Sequence, residues 1–260
     1  MAFCARHRDQ AAMKPDGLMP HLSRVHVGIQ TAVVLIACVL SACTSTPPSP
    51  DWQANASASL DSFTQAYLSG KQTLSEAALV RAKQEVAQTG RPNLMARLEL
   101  ARCAMQIASL VRTDCPAYQA LAIDAKPPEM AYAAFLTGDW NGLQADQLPD
   151  QYRVFFNAAL SMAATPTAYA STLSKPNAHS ALLLIAKPLS RLVAAGVLQT
   201  RGQLSAADMQ VASDTASAQG WRRPLLAWLG LQLTAAQTQG NTQSAEFLQR
   251  RINLIVQAQP

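Results

Sequence analysis

Beyond Asp51, apolar side chains recur at intervals of three and four residues, and the period-two alternation of strands is hard to find, so the chain reads as all-α. The pattern predicts a helix over Trp52–Ser69, with Leu60, Phe63 and Tyr67 at helical spacing before Gly70. A second runs over Leu74–Gln88, with Ala77, Val80 and Val86 before Gly90. Pro92 then stands where a first-turn proline belongs, and Leu94, Leu98, Ala101 and Met105 make an apolar stripe opposite Glu99, Arg102 and Gln106.

Prolines and glycines break the middle of the chain into shorter pieces: Tyr118–Ile123, Pro128–Thr137, Pro149–Met162 and Pro166–Leu173. Ala178–Val197 follows, and its unbroken run Ala181-Leu-Leu-Leu-Ile-Ala186 predicts the buried centre of the fold, kinked at Lys187-Pro188. Too short to span a bilayer, that run is core and not a second anchor. Ser205 caps Ala206–Ala218, and Arg222–Thr238 with Thr242–Ala258 closes the chain as a helical hairpin.

Three turns share a form, Leu68-Ser-Gly70-Lys71, Leu136-Thr-Gly138-Asp139 and Thr238-Gln-Gly240-Asn241, and their glycines lie 68 and 102 residues apart. Both intervals are multiples of the roughly 34-residue period of tetratricopeptide repeats, which the chain resembles in degenerate form. The intervening places, Ala104, Thr172 and Ala206, lack glycine. Two architectures fit: an irregular, solenoid-like stack of helical hairpins, or a compact helical bundle.

A different pattern governs the first fifth of the chain. Arg24 and His26 flank a short apolar run, Ala32–Val39, which ends at Leu40-Ser41-Ala42-Cys43. This resembles the lipobox of bacterial lipoproteins. The resemblance implies a signal peptide over residues 1–42, cleavage between Ala42 and Cys43, and acyl chains on Cys43 as the only membrane attachment. Residues 1–18 have no helical or strand period, and Met13 or Met19 would give a more ordinary signal, so that stretch reads as a misassigned start. Thr44 follows the cysteine where an Asp would hold such a protein in the inner membrane, which implies the outer membrane and a periplasmic face. Three acyl chains anchor far more firmly than one, at about 0.8 kcal/mol per buried methylene. Residues 43–50 then read as a proline-rich spacer of roughly 20 Å, and residues 51–260 as the helical domain.

Charge adds little. Of the net +5, the segment before Cys43 supplies Arg6, Arg8, Lys14 and Arg24 against Asp9 and Asp16, which leaves +3 for the rest. Nucleic-acid binding would want basic residues clustered on one face, and no nucleic-acid partner is expected. Trp221-Arg222-Arg223 is better read as a helix start whose arginines reach over apolar surface. Cys103 and Cys115 are candidates for a disulfide, or for two buried thiols. The bridge needs the preceding helix to stop near Ser109 or Leu110, so that the chain can fold back and bring the Cα atoms within about 7 Å.

Candidate chemistry is sparse. His179 is the only histidine after Cys43, there is no G-x-S-x-G elbow, and one histidine with no H-E-x-x-H or C-x-x-C leaves no dense metal ligand set. Glu99, Glu129, Asp139, Asp146 and Asp150 are the carboxylates available for acid–base work, better read as solvated helix ends and turns. The sequence therefore predicts neither catalytic residues nor a metal or cofactor. It points first to an anchored interaction or scaffold protein of the envelope with a protein partner. An envelope-polymer-modifying enzyme is the alternative, and so is a bundle holding an apolar ligand in a pocket lined by Leu182 to Ile185.

Overall fold

The computed structural model describes residues 50–163 and 180–258, all within one compact unit, Ser49–Pro260. The described residues are helical: α1 (Asp51–Leu68), α2 (Gln72–Ala87), α3 (Pro92–Ala108), the single turn α4 (Pro116–Gln119), α5 (Pro127–Thr137), α6 (Asp150–Ala163), α7 (Pro188–Thr200), α8 (Ala206–Ala218), α9 (Arg222–Thr238) and α10 (Thr242–Gln257). Three 3₁₀ turns join them, at Ala122–Asp124, Ala145–Gln147 and Ala181–Leu184. Among these residues no helix is long and apolar enough to cross a membrane. The lipobox, the helix expected at Pro166–Leu173 and His179 lie outside the described residues.

Local chemistry explains where the helices begin and end. Pro92, Pro116, Pro127 and Pro188 open four of them, where the missing N–H costs nothing. The Ser205 hydroxyl accepts from Asp208 N at 3.1 Å and the Asp208 carboxylate accepts from Ser205 N at 2.9 Å, a reciprocal cap on α8. At the other ends, Gly70, Gly138 and Gly240 take the left-handed conformation that stops a helix. Gly90, Gly202 and Gly220 do the same, so the chain turns at intervals other than 34 residues as well.

α1 and α2 form a hairpin, α3 packs on α2, α5 and α7, and α7, α8, α9 and α10 then pack in sequence. The chain closes on itself because α9 returns to α1. Arg223 lies 4.2 Å over the Tyr67 ring, donates to Tyr67 O at 2.8 Å and reaches Gln72 Oε1 at 2.6 Å. That is the stem-over-apolar role read from the sequence at Trp221-Arg222-Arg223. The hairpins are thus wrapped around α3 and α7, which form the centre.

Three sequence expectations change. The apolar run at 181–186 is not the buried centre: Leu182 and Ile185 are fully buried, but Leu183 and Leu184 are exposed, and Pro188 starts a helix where a kink was expected. The centre is α7 itself, with Leu192, Val193, Ala194, Ala195 and Val197 all buried. On α2, Val80 and Ala77 face solvent, and the inward face is Ser75, Ala78, Ala82 and Val86, small residues that let α1 and α2 approach closely. On α3, Glu99 is buried on what was to be the polar side.

Candidate functional site

The central seam places everything around it. Gly196 of α7 lies so close to α3 that a Cβ there would stand 2.3 Å from the Ile107 carbonyl oxygen, so only glycine permits this backbone approach. At the next residue, the Trp228 indole of α9 donates to the orphan carbonyl of Ala108 at 3.1 Å, satisfying the end of α3. Helices α3 and α7 are thereby fixed side by side, with α5 packed against both and α6 against α7.

Where the four helices diverge there is a cavity of about 370 Å³. Its apolar walls include Leu100, Ala104 and Met105 of α3 and Leu189 and Val193 of α7. Tyr132, Tyr152 and Ser190 add three hydroxyls. The two tyrosine rings stack 5.9 Å apart at 25°, part of an aromatic cluster that continues through Phe135 to Trp140. Burial holds the Tyr132 phenol well above its usual range, and neighbouring Tyr152 adds to this. Burial raises Tyr152 as well, against the opposing influence of Tyr132 and Ser190. Both phenols therefore stay neutral and act as hydrogen-bonding groups.

Arg97 and Glu129 stand beside this cavity and are occupied with each other. Arg97 donates to Glu129 Oε1 from Nη2 at 2.6 Å and from Nε at 2.9 Å, while Glu129 Oε2 accepts from Lys126 N at 3.2 Å and caps α5. Glu99 is engaged likewise, with Oε1 on Lys83 and Oε2 on Arg102 Nε at 2.9 Å. Neither carboxylate has an oxygen left over for a substrate proton. Asp139 accepts from the Asn141 side chain at 3.1 Å, Asp150 pairs with Arg153 at 2.9 Å, and Asp146 is exposed. The acid–base candidates are thus scattered and do not converge.

Cys103 and Cys115 are joined by a disulfide with Cα atoms 5.5 Å apart. The bridge closes because α3 ends at Ala108 and the chain reverses at once: Leu110 takes φ 57°, and Val111 N donates back to Gln106 O at 2.9 Å. Sequence reading missed Asp208, a buried carboxylate bonded by the Ser180 hydroxyl at 2.5 Å and the Ser205 hydroxyl at 2.7 Å. Only its place three residues after a serine cap signalled it. The network splices the entry to the 3₁₀ turn onto the start of α8. Cys43 and Ala42 lie outside the described residues.

The second distinctive surface is the outside of α10. Leu248, Ala245, Ile252 and Ile255 pack inward, yet Phe247 and Leu254, two turns apart on a different face, are 54% and 69% exposed. Arg251 reaches over the Phe247 ring at 5.9 Å, and Arg250, on the other flank of the stripe by helical spacing, pairs with Glu246 at 3.9 Å. A surface helix ordinarily keeps that face polar.

The class these features define is an all-α protein of packed helical hairpins. No family model matches the chain, and comparison with curated proteins and with solved structures returns no match.

Proposed function

We propose that this is a lipid-anchored helical interaction protein of the bacterial envelope, tetratricopeptide-like in its use of helical hairpins. Cys43 carries the acyl chains, residues 43–50 form the spacer, and the body works at the periplasmic face of the outer membrane. The observation that carries the docking part is the outer stripe of α10. Single exposed apolar residues need no explanation, but two large ones at i and i+7 on one helix repeat the spacing by which a helix anchors in a partner's groove. Arg251 lies against Phe247 and Arg250 pairs with Glu246, so the stripe has a mildly basic edge, which favours a partner with an acidic rim around an apolar centre. Among the described residues, Glu99, Glu129, Asp139, Asp146 and Asp150 do not converge, which favours the interaction reading over the polymer-modifying enzyme.

Two variants test the reading. Cys43→Ser is expected to abolish incorporation of labelled palmitate and release the protein from membranes; retained label would overturn the anchor. The double variant Phe247→Glu/Leu254→Glu is expected to keep the anchor and the fold but to lose the protein that copurifies stoichiometrically with the parent. Unchanged copurification would overturn the docking face.

A further inference from the structure

The cavity between α3, α5, α6 and α7 serves no purpose in the docking reading, which concerns a different surface. At about 370 Å³ it is within the size range of ligand pockets; grooves of about 330 and 350 Å³ lie elsewhere, but charged Lys71 and Arg81 line the first and Arg112 and Asp114 the second, so the apolar lining and not the volume sets it apart. It opens to solvent, and α3 presents Ala101 and Ala104 to the opening, where larger side chains would fill it.

The lining defines what fits. Leu100, Met105, Leu189 and Val193 offer an apolar bed, with Met105 able to adapt to shape. Tyr152 is 98% buried yet borders the cavity together with Tyr132 and Ser190, so hydroxyls converge from α5, α6 and α7 on one space. A short row of hydroxyls satisfies itself internally and leaves a donor at its end. The charges at the cavity, Arg97 and Glu129, pair with each other, so the site carries no net charge to offset the desolvation of a charged ligand. The space is at the lower end of the range of small-molecule pockets, which suits a chain of medium length.

We propose that this cavity binds a small uncharged amphiphile, a medium-chain ester or alcohol whose chain lies on the α3–α7 floor and whose oxygen accepts from the Tyr152 hydroxyl.

The test is photoaffinity labelling of the full chain in membrane vesicles, with the methyl ester of a diazirine-bearing decanoic acid as probe. Saturable labelling confined to α3, Gln151–Tyr152 and Leu189–Val193 is expected. Methyl decanoate and 1-decanol should compete, and decanoate should compete at least ten-fold less well. Ala101→Trp, which fills the cavity from its rim, should cut labelling more than ten-fold without moving the thermal midpoint. Tyr152→Phe should weaken the ester about five-fold, the worth of one neutral hydrogen bond. If Ala101→Trp does not fold, Tyr152→Phe and the decanoate comparison decide. Labelling spread over the surface, absent saturation, equal competition by decanoate or an unmoved Tyr152→Phe would each overturn the proposal.

Discussion

Gly196 is the residue on which the centre of the molecule depends, because its α-carbon packs directly on the backbone of Ile107. Gly196→Ala would force α3 and α7 apart. The expected cost is about 1–3 kcal/mol or more, the range for overpacking a tight core, read as a lower urea midpoint with an unchanged slope. Tyr132 makes a second prediction at this scale. Its folded pKa is raised above the ordinary value of 10.0, so its burial contributes stability in full below pH 10 and loses it as pH rises through that value toward the folded pKa. Stability should therefore fall as pH rises above about 10, by up to about 1.4 kcal/mol per pH unit for each such tyrosine. Tyr132→Phe should flatten that slope in denaturant titrations; an identical slope would mean that the phenol titrates freely.

Among the elements, the segment between α3 and α4 carries most of the local constraint. The Cys103–Cys115 bridge closes a short loop in which Leu110 and Cys115 both sit at positive φ, outside the range side chains prefer. Replacing both cysteines by Ala should cost about 3 kcal/mol, the loop-closure value for this length, and amides of Leu110–Cys115 should lose exchange protection first. Much at this scale was legible in the sequence. Prolines at first turns, glycines at stops, the Ser205 cap and the closing hairpin are local signals, and they match the helices found. The rest was not, for identifiable reasons. The inward face of α2 is Ser75, Ala78 and Ala82, which a hydrophobic pattern ranks below Val80. The leucine run at 181–186 was overvalued, because periodicity cannot tell a 3₁₀ turn with two leucines exposed from a buried helix. The cavity draws on four helices spread over nearly a hundred residues, and no local pattern encodes such a convergence.

At the scale of the whole molecule, α9 returning to α1 makes a closed body with α10 laid on its outside. Closure frees α10 from a structural duty on its outer face, so Phe247 and Leu254 lack a structural reason for their exposure. The central claim is thus that the outer stripe of α10 is a docking surface. Its most direct test is photocrosslinking in intact envelopes, with a photoreactive phenylalanine analogue placed in turn at Phe247, at Leu254 and, as a control, at exposed Val80 of α2. The account predicts one discrete adduct of the same mass from positions 247 and 254 and none from position 80. No adduct from either α10 position, or the same adduct from all three, would contradict it.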